Sequence, residues 1–451
     1  MKIHLIGIGG IGVSALAQYY LSKGHEVSGS DLVASEITDF LEEKGIEVII
    51  GNSAENIKND FNLVVYSPAV KAGNPELIQA KSYKLKAISY PEALGDLTKE
   101  YYTIAIAGAH GKSTTTAMIA LVLVKAGLDP TVVVGTKVKE FGGSNFREGK
   151  SKFLVIEACE YDSSFLYYSP KIIVVTNVDK EHLDYFKTFA NVKKAFRDFI
   201  VRLPADGFLV FNGDDKELSV IARSIATKQS LRLRLLRFAR NDGESKKIKT
   251  IMKVPGMHNV SNALAALQVS RILAIPDEIT LEALSEFTGT WRRFEERDLK
   301  IGNCKLKIVS DYAHHPNEIL ATLKAAREKY PKKKIWCVFQ PHQYQRTYYL
   351  FNDFVKVFRA VPIDKIIITD IYDVVGREIK TINKEVSSEK LVRKINRKNV
   401  EYFPMFCDAR GTSVVKHSLC DIEKFVKENI RSGDVLIIMG AGDIYKLADK
   451  F

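Results

Sequence analysis

Lys112 and Ser113 lie in the run Gly108-Ala109-His110-Gly111-Lys112-Ser113-Thr114-Thr115-Thr116. Such a run can cradle nucleotide phosphates. Backbone N–H groups at a helix N-terminus meet the anion, the lysine reaches the β and γ phosphates, and the serine hydroxyl ligates Mg²⁺. The general pattern would place its first glycine at Ile106, so this loop is a tightened form. A second glycine run, Gly7-Ile8-Gly9-Gly10-Ile11-Gly12, is followed by Asp31 at the end of the next predicted strand. Glycines for backbone approach and an acid about 20 residues on suit a pyrophosphate-bearing ligand with a ribose. Read alone, that run predicts a nicotinamide-dependent dehydrogenase. Ser67 falls just past another strand's C-terminal end, where ligands of open α/β sheets bind.

A third set is acidic and imidazole-bearing. Glu157 comes first after the apolar run Phe153–Ile156, and Asn177, Asp179, Glu181 and His182 follow Ile172–Val175. Carboxylate oxygens, and occasionally imidazole, are what Mg²⁺ accepts beside phosphates, and Glu157 is the strongest candidate. Arg292 and Arg293 form a pair suited to phosphate or carboxylate. Asp311, His314 and His315 follow one strand, and His342 and Arg346 follow another. Six of the nine histidines (110, 182, 258, 314, 315, 342) sit at such turns. From composition, His258 or Asn259 caps an Ala-rich helix.

Positioning these groups requires alternating strands and helices. Buried strands are expected at Ile3–Ile6, His25–Ser30, Val48–Ile50, Leu63–Tyr66 and Thr103–Ala107. More follow at Phe153–Ile156, Ile172–Val175, Leu306–Ser310, Ile335–Phe339, Lys365–Thr369 and Val435–Met439. Helices are expected over Val13–Lys23 and Thr114–Lys125, each directly after a glycine turn. At 451 residues, the chain is long enough for about three domains. The boundaries read as 1–97, 98–291 and 292–451. The fold class is α/β: an N-terminal Rossmann-like domain, a central doubly wound sheet of P-loop ATPase type, and a C-terminal Rossmann-like domain.

Composition narrows the function. Hydrophobic residues make up 46% and charged residues 27%, ordinary for a globular enzyme. No apolar run reaches the roughly 18–20 residues that span a bilayer, and the N-terminus makes a poor signal peptide. The five cysteines are scattered without metal or disulfide spacing, which points to a reducing, cytoplasmic setting. The net charge is +12, with ten Lys/Arg between Arg223 and Lys253. Without aromatic interleaving or a nucleic-acid module, that stretch reads as a solvated surface hairpin. Neither nucleic acid nor membrane is an expected partner.

Together these clusters resemble the Mur ligases, ATP-dependent amide-forming enzymes of peptidoglycan precursor synthesis. The resemblance runs from Ile6 to Gly442. It rests on the two glycine runs, Glu157-Ala158-Cys159-Glu160, Thr176-Asn177 to His182, Gly256 to Asn259, Arg292-Arg293-Phe294, Asp311 to Pro316, and Gln340-Pro341-His342 with Arg346. The tightened phosphate loop is the family's form. The alanine-adding branch is the nearest, and there the N-terminal unit holds a UDP-sugar and not a dinucleotide. The resemblance implies a ligase that joins L-alanine to the carboxylate of UDP-N-acetylmuramate through an acyl phosphate. The alternative within the family is the recycling ligase that attaches a ready-made tripeptide.

The resemblance also implies roles. Lys112, Glu157, His182 and Asn177 would be catalytic. ATP would meet Gly108, Ala109, His110, Gly111, Lys112, Ser113, Thr114, His258, Asn259, Arg293 and Asp311. The UDP-sugar would meet Gly9, Gly10, Ile11, Gly12, Asp31 and Ser67. The amino acid would meet His314, His342 and Arg346. Mg²⁺ would be held by Ser113, Thr114, Glu157 and His182. The active species would be a monomer or weak homodimer. Cys159 stands where the family commonly has Asp, Met257 and Gln343 where it has Arg, and Ala195 near where sister ligases carry a carbamylated lysine.

Overall fold

Three parallel-rich sheets carry the predicted strands, and each glycine run lies directly after a strand of one of them. The structure, a computed structural model, describes residues 1–228, 234–239, 243–301, 304–373, 381–404 and 419–451. The chain divides into two compact units. The first holds Met1–Glu181, Thr188–Met252 and Val260–Phe287; the second holds His182–Lys187, Lys253–Asn259 and Thr288–Phe451.

The first unit contains two sheets. In the N-terminal one, five parallel strands run in the order Glu47–Ile50, Glu26–Asp31, Lys2–Ile6, Leu63–Tyr66, Ala87–Ser89. The chain reverses direction across the sheet between Lys2–Ile6 and Leu63–Tyr66, so their C-terminal ends frame the crevice where such sheets bind ligands. The glycine run and Ser67 both sit there. The other sheet has seven strands, with Tyr102–Ala107 between Ile172–Val175 and Phe153–Glu157. Its strands are near-continuous runs of buried β-branched residues, as a sheet covered on both faces requires. Helix Lys112–Lys125, which follows the phosphate-loop run, is buried on nearly every side; its apolar residues do not form a single stripe because it has no solvent face.

The basic stretch is not a hairpin. Helix Lys216–Lys228 leads to strand Arg234–Phe238, which pairs parallel with Phe208–Asn212, and helix Gly243–Ile251 follows. Alternation identified a half-exposed strand, but parallel pairing needs a helical crossover where a hairpin would have a tight turn. Leu231, Arg232 and Leu233 lie outside the described residues.

The second unit has a six-stranded sheet in the order Glu295–Ile301, Cys304–Asp311, Val435–Met439, Ile335–Phe339, Lys365–Ile368, Val400–Tyr402, with only the first pair antiparallel. Its two faces are legible in strand period. Ile335, Cys337 and Phe339 enter one apolar cluster with Phe354 and Phe358, while Trp336 and Val338 enter the other with Ile422 and Val426. The α/β class and the three sheets agree with the expectation from sequence. No described helix is long and apolar enough to cross a membrane.

Candidate active site

The turn after Tyr102–Ala107 is shaped by two glycines that no side chain could replace without strain. Gly108 has φ +138° and Gly111 φ +84°, a region L-residues rarely adopt. A Cβ at Gly108 would collide with the Thr176 hydroxyl, and one at Gly111 would lie 2.6 Å from Asn262 Oδ1. Gly111 is the N-cap of helix Lys112–Lys125, whose first turn holds no acid. Its backbone N–H groups and dipole therefore favour an anion there. The helix begins at Lys112, two residues before the expected Thr114.

Lys112 Nζ donates to the Gly108 carbonyl at 2.6 Å and the Ala109 carbonyl at 3.2 Å, and pairs with Glu160 Oε2 at 3.0 Å. Burial, the largest influence, would drive the ammonium toward neutrality; the Glu160 carboxylate, helped by Cys159 and Glu157, outweighs it and holds the lysine pKa above its ordinary value. Glu160 is 1% exposed. Sequence reasoning quoted Glu160 within a motif but assigned it no task, and its spacing from Lys112 carries no signal.

Thr176 and Asn177 brace the same turn from the neighbouring strand. Asn177 Oδ1 accepts from the His110 N–H at 2.9 Å, its Nδ2 donates to the His110 carbonyl at 2.9 Å, and Thr176 Oγ1 donates to that carbonyl at 2.6 Å. The His110 ring meets Asp179 Oδ2 at 2.9 Å. Asn177 thus fixes the loop backbone. Glu157 ends its strand, with Oε2 accepting the Gly135 N–H at 2.8 Å; a Cβ at Gly135 would lie 2.8 Å from that oxygen. Ser113 and Thr114 occupy the first helical turn, both nearly buried.

The N-terminal glycine turn is built differently. The Gly9 N–H donates to Asp31 Oδ2 at 2.9 Å, and Gly7, at φ +81°, has no room for a Cβ because Ser67 Cβ would lie 2.8 Å from it. Gly10 caps helix Ile11–Ser22 without a side chain, and the first turn again holds no acid. This helix is sewn to the central sheet by a buried amide pair. Gln18 Nε2 donates to Asn145 Oδ1 at 2.8 Å, Ser144 Oγ donates to Gln18 Oε1 at 2.9 Å, and Asn145 Nδ2 reaches Ser14 Oγ at 3.0 Å and the Ile11 carbonyl. Buried amides this fully paired fix the geometry of the two elements.

In the second unit the Arg pair divides its labour. Arg292 is buried, donates to the Gly440 and Gly442 carbonyls, and lies 4.3 Å from the Tyr445 ring centroid. It holds the turn after Val435–Met439, whereas Arg293 is partly exposed and pairs with Glu318 at 3.7 Å. Asp311 accepts from the Phe294 and Ala313 N–H groups, each at 2.8 Å; burial lifts its pKa above the usual carboxylate value despite Arg293. His314 and His342 meet at 5.7 Å between ring centroids, and His342 stacks on Tyr372 at 5.5 Å and 9°. Arg346 Nη1 lies 3.1 Å from His342 Nδ1. The three residues expected at the amino acid are therefore together, with Tyr372 as a neighbour that no sequence signal revealed.

His182, with φ +53°, caps the short helix Leu183–Phe186. His258 and Asn259 lie inside the first turn of helix Met257–Ile272 and do not cap it. Asn259 Nδ2 donates back to the Pro255 carbonyl at 2.7 Å, the reverse of an N-cap's acceptance.

Three family models match the chain: "Mur ligase family, catalytic domain" over residues 2–102, "Mur ligase middle domain" over 106–270, and "Mur ligase, glutamate ligase domain" over 292–442. The chain is 41% identical to the UDP-N-acetylmuramate–L-alanine ligase of Acetivibrio thermocellus, over 100% of this chain and 95% of that protein. It is 42% identical to the ligase of the same name from Clostridium tetani, over 100% and 97%. The crystal structure of the UDP-N-acetylmuramate–alanine ligase of Thermotoga maritima superposes with a TM-score of 0.78 at 27% identity, covering 100% of this chain and 98% of that one.

Proposed function

We propose, from the premise that the chain belongs to the Mur ligase family, that it is an ATP-dependent ligase joining L-alanine to the carboxylate of UDP-N-acetylmuramate. The reading is carried by the full-length likeness to ligases named for that reaction, which spans both glycine turns and the His314–His342–Arg346 group. The N-terminal turn is then a sugar-nucleotide site, and the dehydrogenase reading of Gly7–Asp31 falls away.

An amine and a carboxylate do not condense readily in water, because the carboxylate carbon is a poor electrophile and oxide a poor leaving group. A carboxylate oxygen attacks the γ phosphorus of ATP, ADP departs, and an acyl phosphate forms. The neutral α-amine of alanine adds to the acyl carbon, loses a proton, and the tetrahedral adduct expels phosphate to leave the amide. Lys112 meets the charge that develops on the transferred phosphoryl group. It is held charged by Glu160 and aimed by the turn that Asn177 and Thr176 brace.

The oxygen donors of Ser113, Thr114 and Glu157 suit Mg²⁺, a hard ion that prefers carboxylate, hydroxyl and phosphate oxygen; His182 is the imidazole assigned with them. Bound there, the ion would neutralise phosphate charge. Asp31, Ser67 and the Gly9–Gly12 backbone hold the UDP-sugar. His258, Asn259, Arg293 and Asp311 serve the nucleotide, and His314, His342 and Arg346 orient alanine.

The test is phosphate release from purified protein with ATP and Mg²⁺. Release that requires UDP-N-acetylmuramate and L-alanine together is expected. Release with the tripeptide but not with alanine would transfer the assignment to the recycling ligase.

A further inference from the structure

Tyr90 reaches the N-terminal glycine turn from the edge of its sheet. It opens helix Tyr90–Glu100, directly after edge strand Ala87–Ser89. Ser89 and Glu92 form a reciprocal capping box that fixes the first turn of this helix, with Ser89 Oγ to Glu92 Oε2 at 2.7 Å. The phenol therefore has a defined starting point, and it ends against Gly12. A Cβ at Gly12 would lie 2.5 Å from Tyr90 Oη and 2.7 Å from Cζ. Gly12 is the second residue of helix Ile11–Ser22, and its φ is not in the left-handed region. The turn itself thus does not demand glycine here; the tyrosine does.

The ring is half-buried, and no hydrogen bond to its hydroxyl is found among the described residues. Burial keeps the phenol protonated and so a donor. The hydroxyl lies against Gly12 in the first turn of helix Ile11–Ser22, which holds no acid, so the helix N–H groups and dipole favour an anionic acceptor there.

We propose that the Tyr90 hydroxyl donates a hydrogen bond to an anionic oxygen of the bound sugar nucleotide. The proposal rests on the sugar-nucleotide reading of the N-terminal turn. Two groups of that ligand offer such an oxygen, the diphosphate and the carboxylate to be activated.

The experiment is calorimetric titration of the full chain and of Tyr90→Phe with UDP, UDP-N-acetylglucosamine and UDP-N-acetylmuramate. Phenylalanine keeps the ring against Gly12 and removes only the oxygen, so an unchanged thermal midpoint is expected. A loss of about tenfold or more in affinity is expected, the scale of one hydrogen bond to a charged group. Loss for all three ligands assigns the bond to the diphosphate; loss for UDP-N-acetylmuramate alone assigns it to the carboxylate. Equal affinities of both proteins for all three ligands would overturn the proposal. Failure of the unaltered protein to bind UDP-N-acetylmuramate would instead remove the reading beneath it.

Discussion

The two glycine turns of the first unit share one grammar and, on the proposed reading, serve different chemistry. Each follows a buried parallel strand, each opens a helix with no acid in its first turn, and each uses glycine where a Cβ would collide. At the N-terminal turn the partner is an acid, Asp31, which accepts a backbone N–H. At the central turn it is a cation, Lys112, which donates to backbone carbonyls and pairs with a buried glutamate. Backbone N–H groups suffice to hold a phosphate that stays intact. Moving a phosphoryl group requires a mobile charge that can follow the changing oxygens. The difference between a holding turn and a transferring turn thus lies in one side chain and what keeps it charged.

Breaking the central turn should have the largest effect. Lys112→Ala is expected to lower kcat by at least about 100-fold, with UDP-N-acetylmuramate affinity by calorimetry unchanged. An unaltered kcat would remove the distinction between the turns. Glu160→Gln should come next, with kcat down about tenfold at neutral pH and a changed pH profile. Glu160 is the largest influence holding the Lys112 pKa up against burial; without it the lysine deprotonates at lower pH. The alkaline limb of kcat/KM should therefore move to lower pH, and a limb that stays in place would show that Glu160 does not set the lysine charge.

At the holding turn, Asp31→Ala should raise KM for the sugar nucleotide several-fold while kcat changes little, because the bond to Gly9 is formed before and after transfer alike. A fall in kcat with KM constant would mean that this turn also acts in the chemical step.

The smallest effect concerns the sheet beneath that turn. Glu76 is fully buried with His4; Asn56 Nδ2 donates to its Oε1 at 2.7 Å, and the His4 ring stacks on Phe61. Burial pushes its pKa up, but the His4 ring, whose Nε2 lies 3.7 Å away, the neighbouring Ser30 and the Asn56 hydrogen bond together prevail and hold it below the ordinary value of 4.5. The stability it contributes is therefore present above about pH 4.5 and lost as pH falls through the depressed folded value. Glu76→Gln should lower the melting temperature by a few degrees at pH 7, and the gap from the unaltered protein should close in acid. A gap independent of pH would mean that the carboxylate's charge is not what stabilises the sheet.

Much of this site was legible before any coordinates. The glycine runs, Lys112, Ser113 and Glu157 announce themselves because strand, turn and helix signals are local: they depend on φ/ψ preferences and on apolar runs within about ten residues. The same locality explains the errors. Alternation near Leu235 signals a strand with one exposed face in either pairing direction, so a parallel edge strand was read as half of a hairpin. Asn259, in a helix-start context, was read as a cap, whereas its amide turns back to Pro255.

The sequence alone determined the fold class, the two glycine turns and the residue types that stand at them, since each is written within one strand–turn–helix segment. Tertiary structure decided what each of those residues touches. Glu160 reaches Lys112 across 48 residues, Asn177 reaches the His110 backbone across 67, and Asn145 reaches Gln18 across 127. Tyr90 meets Gly12, after the central strand, from the edge strand of the same sheet. Such partners are chosen by strand order, and strand order is settled by how whole faces bury one another, which no single segment encodes.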